Sequence, residues 1–179
     1  MKKIGIYGGS FDPITKSHML AACSVLKYVD ETWFLPCWKS QTKIISDSHH
    51  RMNMIHLAIK QNDKVKLCDL EIKNQFEYTM DTIGLLQKIH KDKRFYFVAG
   101  MDNANKFPDK IINSIPFIIV SRKSHKSNVN WYKFDPHLYV EIDDEVCSST
   151  QVRYDIKENG YSHLIENVVL NYILKNKLY

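Results

Sequence analysis

The chain has 179 residues, 44% of them hydrophobic, 25% charged and 12% aromatic, with 25 Lys and Arg against 20 Asp and Glu for a formal net charge of +5. That length suits one well-packed domain, 1–179, and the composition excludes a disordered or fibrous chain. No run is long or apolar enough to span a membrane, and the modest, dispersed positive charge suits small polyanions as well as it would nucleic acid.

The opening MKKIGIYGG has a brief apolar stretch that glycines end. It reads as a first strand and not as a secretory signal, which makes a cytoplasmic or similarly reducing compartment the default expectation. Ile4 and Ile6 lead into Gly8 and Gly9, a turn where no Cβ obstructs the approach of phosphate oxygens. After Pro13, the apolar residues Met19, Ala22, Cys23 and Leu26 follow helical spacing. Ser17 and His18 then fall in the first turn of a helix whose unpaired N–H groups favour negative charge. Neither GxGxxG nor GxxxxGK[ST] is present, and a lone histidine at a helix start is more often a surface residue than a catalytic one.

Thr32 to Leu35 reads as a short buried strand closed by Pro36, followed by a polar loop containing Lys39, Gln41, Thr42 and Lys43. Asp47 or Ser48 offers an N-cap to a helix with Met52, Ile55, Ala58 and Ile59 as its apolar stripe. Val65 and Leu67 begin another strand. Thr79 is a candidate cap for the next helix, with Ile83, Leu86 and His90 on one face. Phe95 to Ala99 forms a buried strand ending at Gly100, and Ile115 to Val120 and Leu138 to Ile142 supply two more. Ser148 or Ser149 caps a helix ending near Asn159–Gly160, and Ile165, Val168, Val169, Tyr172 and Ile173 mark the last one.

Strands alternating with helices imply an α/β fold, a single-domain doubly wound parallel sheet with C-terminal helices. Ligands in such sheets bind beyond the strand carboxyl ends. Gly8 to Asp12, Lys43, Gly100 to Asp102 and Cys147 to Thr150 all lie just after expected strands. The scattered cysteines, Cys23, Cys37, Cys68 and Cys147, read as buried free thiols, and no Cys/His cluster points to a structural metal. The basic patch Arg122, Lys123, His125, Lys126 reads as a solvated loop.

GGSFDPITKSH resembles the nucleotidyltransferase signature Gly-Gly-x-Phe-Asp/Asn-Pro followed by His/Thr-x-Gly-His, with Thr15 and His18 at its two outer positions. SSTQVR at 148–153 looks like the second signature, Ser-Ser-Thr-x-x-Arg. EYTMDT at 77–82, GMDNANKFP at 100–108 and HRMNMIHLAI at 50–59 are similar to segments of nicotinate/nicotinamide-mononucleotide adenylyltransferases, with the bacterial nicotinate-mononucleotide type nearest. Two departures stand out: Ser17 replaces the glycine before the histidine, and Thr15 replaces a histidine, as in phosphopantetheine adenylyltransferases. The tryptophan that often follows Phe-Pro is absent, so Phe107, Trp38 or Trp131 is left as a stacking candidate.

The resemblance implies a Rossmann-like nucleotidyltransferase fold and transfer of the ATP adenylyl group to a pyridine mononucleotide in NAD biosynthesis. It implies that His18, Thr15, Arg153 and Lys43 act in the transfer. ATP would contact Gly8, Gly9, Ser10, Phe11, Asp12, Gly100, Asp102, Ser148, Ser149 and Thr150 as well as His18 and Arg153. The mononucleotide would contact Ser10, Phe11, Lys43, Tyr78, Thr79 and Asp81. Mg²⁺ would arrive on the ATP phosphates and not on a protein cage. The partners implied are these two nucleotides, with no nucleic acid and no membrane. The acid or amide form of the pyridine and the oligomeric state stay open. The alternatives are a phosphopantetheine adenylyltransferase and a nucleotide sensor without chemistry.

Overall fold

The computed structural model describes residues 1–40, 45–104, 106–123, 134, 137–143 and 147–179. Lys43, Trp131, His125 and Lys126 lie outside the described residues. Six parallel strands form one sheet in the order β3-β2-β1-β4-β5-β6. The strands are β1 (Lys2–Gly9), β2 (Glu31–Pro36), β3 (Val65–Leu67), β4 (Lys93–Gly100), β5 (Phe117–Arg122) and β6 (His137–Ile142). The helices are α1 (Lys16–Ser24), α2 (Ser48–Ile59), α3 (Leu70–Lys73), α4 (Thr79–Ile89), α5 (Met101–Ala104), α6 (Asp109–Ile112), α7 (Ser149–Asn159) and α8 (Asn167–Lys175). This order reverses direction between β1 and β4, and the crevice outside the carboxyl ends of those two strands is where such sheets take ligands.

The sheet is buried on both faces, as a parallel sheet requires. Along β4, Phe95, Phe97 and Ala99 pack with Ile4, Ile6 and the α4 residues Ile83 and Leu86. Tyr96 and Val98 turn the other way, onto Ala21 and Val25 beside Ile118, Val120 and Val140. A further apolar cluster joins Phe34 and Val65 to α2, α7 and α8 through Met54, Ile55, Val152, Ile156, Val169 and Ile173. Among the described residues, no helix is long and apolar enough to cross a membrane.

Several local expectations shift. In α1 the inward residues are Ser17, Ala21 and Ala22, while Cys23 is exposed. Of the other free thiols, Cys68 and Cys147 are buried and Cys37 is half-buried. In α2 the buried face is Arg51, Met54, Ile55 and Ile59 rather than one built on Met52 and Ala58. Thr79 does not cap α4, because Tyr78 holds the cap position without a side-chain bond and the Thr79 hydroxyl is used elsewhere. By contrast, Asp47 caps α2, Ser148 caps α7, and Gly160 ends α7 at φ 67°, a left-handed turn that glycine enters without a Cβ penalty.

The buried carboxylate of Glu71, 3% exposed, takes part of its hydrogen bonding from Thr82 Oγ1 at 3.3 Å. Burial pushes its pKa up from 4.5 to about 7, against the opposing pull of hydrogen bonds from Thr82, the Trp38 backbone and Thr79 and of the Arg51 charge. The folded value lies above the unfolded one, so between them the native state holds a proton that the unfolded chain has released. Stability from this residue therefore falls as pH rises from about 4.5 to about 7, and stays level above that. Glu71→Gln cannot ionise. Its unfolding free energy relative to wild type, read from parallel urea melts, is expected to improve with pH across that window and then level off; a difference independent of pH contradicts the assignment.

Candidate active site

The site is built around the turn that follows β1. An added Cβ at Gly9 would lie 2.9 Å from Phe11 Cζ, so glycine is required because the Phe11 ring folds back over it. Phe11 reaches that position at φ 48°, a left-handed conformation costing about 1–3 kcal/mol for a bulky residue. The strain is held by packing: the ring is 2% exposed and sits edge-on to Phe34 at 4.9 Å, Tyr7 at 5.6 Å and His18 at 5.2 Å. Phe11 is thus the wall against which the His18 ring rests.

Thr15 and His18 form a capping box at the start of α1. The Thr15 hydroxyl accepts from the His18 N–H, and His18 Nδ1 accepts from the Thr15 N–H at 3.0 Å. A Glu or Gln usually makes the second bond. With Nδ1 engaged as an acceptor, the proton of the neutral ring is assigned to Nε2. Thr15 is 2% exposed and its Oγ1 lies 2.9 Å from the same Nδ1, so it orients the imidazole from behind. The Ser17 hydroxyl is buried with no hydrogen-bond partner, an unpaired polar group costing about 1–3 kcal/mol.

The start of α7 is tied to this turn by two bonds that span most of the chain. Ser149 Oγ donates to the Pro13 carbonyl at 2.8 Å, and Arg153 Nη1 donates to the Asp12 carbonyl at 2.6 Å. Arg153 Nη2 also donates to Thr150 Oγ1 at 3.2 Å. The Asp12 carboxylate, 3% exposed, accepts from the Ser46 N–H at 3.1 Å and from the Tyr179 hydroxyl at 2.6 Å. Burial, reinforced by Asp12, pushes the Tyr179 phenol well above its usual range, so it stays a donor.

Between these segments and the end of β4 lies a cavity of about 460 Å³. It gathers Gly8, Gly9, Ser10, Phe11, His18, Gly100, Asp102, Ser148, Ser149 and Thr150 from the expected set. A Cβ added at Gly100 would meet nothing within 4 Å, so any need for bareness there comes from the cavity side. Thr15, Asp12 and Arg153 stand behind the lining and brace it, whereas Tyr78, Thr79 and Asp81 are not part of it. Phe107 lines the cavity while packing edge-on against Phe97 at 5.3 Å.

Arg122, at the end of β5, also lines the cavity, although the sequence places it in a solvated basic patch. The rule that ligands lie beyond strand carboxyl ends, applied to β5, identifies it. Two first turns of helices, an imidazole and a guanidinium therefore face one space, which suits a polyanion. No group of three or more His, Cys, Asp or Glu among the described residues is arranged to hold a metal ion.

The chain matches the cytidylyltransferase-like family over residues 6–155. Over its whole length it is 34% identical to nicotinate-nucleotide adenylyltransferase of Bacillus subtilis (strain 168), covering 99% of that protein. It is 35% identical to the probable nicotinate-nucleotide adenylyltransferase of Bacillus licheniformis, with the same coverage. Among solved structures it resembles Plasmodium falciparum nicotinic acid mononucleotide adenylyltransferase complexed with NaAD, with a TM-score of 0.83 and 29% identity over 100% of this chain and 98% of that one. The complex of that protein with APC gives a TM-score of 0.83 at 30% identity with the same coverage. The chain therefore belongs to the cytidylyltransferase-like family, and within it to the nicotinate-nucleotide adenylyltransferases.

Proposed function

We propose that this protein transfers the adenylyl group of ATP to nicotinate mononucleotide, releasing pyrophosphate and forming the dinucleotide in NAD biosynthesis. The observation that carries this reading is the meeting of His18, in the first turn of α1, with Ser149 and Thr150, in the first turn of α7, on one cavity. The relatives' names supply the acceptor.

The mononucleotide 5′-phosphate oxygen attacks the α-phosphorus of ATP, and the bond from that phosphorus to the bridging oxygen of pyrophosphate breaks. The protein needs no nucleophile of its own for this direct displacement. Its work is in-line positioning and neutralising charge as it moves toward the leaving group. His18 Nε2–H serves the α-phosphate, held on target by Thr15 and Phe11. The α7 start, with Ser148, Ser149 and Thr150, serves the β- and γ-phosphates, and Arg153 braces it while adding positive charge. Asp102 serves the ATP ribose. Lys43, Tyr78, Thr79 and Asp81 remain the proposed contacts on the mononucleotide side. Mg²⁺ would be held on ATP by phosphate oxygens and water, where it would offset the charge of the leaving pyrophosphate.

Incubation with Mg²⁺-ATP and nicotinate mononucleotide, nicotinamide mononucleotide or phosphopantetheine in turn tests the reading through pyrophosphate release and the adenylylated product. Nicotinate mononucleotide is expected to be the best acceptor; turnover with phosphopantetheine alone overturns the proposal. His18→Ala is expected to lower kcat by about a hundredfold, the scale of losing one transition-state donor, in a protein that still melts cooperatively but at a lower temperature because the Thr15 N–H loses its acceptor. Near-normal turnover refutes the His18 role. Arg153→Ala is expected to raise KM for ATP more than KM for the mononucleotide, and equal increases argue against its place on the triphosphate side.

A further inference from the structure

Arg51 has the largest side chain among the fully buried residues, at 0% exposure, in a helix where an apolar residue would be ordinary. Taking a guanidinium out of water is costly unless its donors are satisfied. Here they are, entirely by backbone carbonyls from three separate segments. Nε donates to Ser46 O at 2.9 Å, Nη1 to Ser10 O at 3.0 Å, and Nη2 to Cys37 O at 2.7 Å and to Trp38 O at 3.4 Å. Glu71 approaches the same stretch from α3: its carboxylate accepts from the Thr82 hydroxyl at 3.3 Å, and the Trp38 backbone N–H, the Thr79 hydroxyl and the Arg51 charge lie near enough to favour its ionised form. The residue 37–38 segment thus has its carbonyls taken by Arg51 and its Trp38 N–H near the Glu71 carboxylate. Trp38, with Lys39 Nζ 4.0 Å over its ring, lines a second opening of about 350 Å³ that includes Ser46 and lies against the β1 turn through the Ser46–Asp12 bond.

We propose that Arg51 and Glu71 are a positioning pair that locks the β1 turn, the segment after β2 and the start of α4 into one rigid wall for the mononucleotide, leaving the triphosphate side to Thr15, Asp12 and α7. This rests on the acceptor being a pyridine mononucleotide. Of the four Arg51 bonds, three go to Ser46, Cys37 and Trp38 and one to Ser10; Glu71, beside that segment, is tied to the first turn of α4 through Thr82. Arg51 has the five-donor fork that such divergent carbonyls need, and lysine does not.

The test measures affinity for each nucleotide separately, by calorimetry with nicotinate mononucleotide and with ATP, in wild type, Glu71→Gln and Arg51→Lys, beside each variant's melting curve and steady-state kinetics. Glu71→Gln keeps the side-chain shape and is expected to fold. It is expected to weaken mononucleotide binding about tenfold, the equivalent of about 1.4 kcal/mol, with ATP binding within about twofold and kcat at saturation little changed. Arg51→Lys is expected to show the same asymmetry more strongly. A folded Glu71→Gln with unchanged binding of both nucleotides, or with equal losses for both, overturns the positioning role. If Arg51→Lys does not fold, the Glu71→Gln result alone decides. Wild type that binds ATP but no pyridine mononucleotide fails the underlying reading instead, and takes this inference with it.

Discussion

Everything at this site depends on the capture of two consecutive backbone carbonyls. Asp12 and Pro13 sit in the turn after β1, and their carbonyls accept from Arg153 and Ser149 of α7, at 2.6 and 2.8 Å. These bonds bring a helix from the far end of the chain to the first strand's carboxyl end. They bring its N-terminus onto the cavity that the α1 N-terminus also faces. An anion spanning that space meets positive dipole ends from two directions, each worth a fraction of a kcal/mol to about 2 kcal/mol when partly buried. In the mechanism proposed above, these dipoles and the His18 and Arg153 side chains are held in place before the substrate arrives, so charge neutralisation needs little reorganisation.

A second layer holds that arrangement still. Thr15 fixes the His18 ring through the capping box, Phe11 backs it at a strained φ, and the Asp12 carboxylate is occupied by Tyr179 and Ser46. On the other flank of the same turn, the side proposed for the mononucleotide, Arg51 joins Ser10 to the segments around Cys37 and Ser46. Several signature residues thus act by holding others. Asp12 and Thr15 are buried, and their polar groups are spent inside the protein, so the signature Gly-Gly-x-Phe-Asp-Pro encodes a turn's internal bonding as much as a ligand's contacts.

The legible part of this protein was local. Ser148 and Gly160 bound α7 because a hydroxyl cap and a left-handed glycine act within one helical turn, and β4 is legible because a parallel strand is apolar on both faces. Ser17 and His18 fall in the first turn of α1 for a similar reason, whereas the capping role of Thr15 emerges only from the structure. What escaped depended on partners distant in sequence. Arg51 breaks an apolar stripe because it answers carbonyls 5 to 41 residues away, and Tyr179 meets Asp12 across 167 residues. Thr79 reads as a cap from its neighbours, yet Tyr78 holds the cap position of α4 and Thr79 is the first residue of the helix proper. Arg122 reads as surface from its basic neighbours, and it is the sheet topology, which puts the end of β5 at the cavity, that overrules them.

The central claim is that one triphosphate is gripped at both helix starts at once. A crystal structure of the protein with a non-hydrolysable ATP analogue tests it most directly. The account predicts the α-phosphate within hydrogen-bond reach of His18 Nε2, and the β- and γ-phosphates on the N–H groups of residues 148–150. A triphosphate lying away from either segment, with His18 or the start of α7 making no phosphate contact, contradicts it.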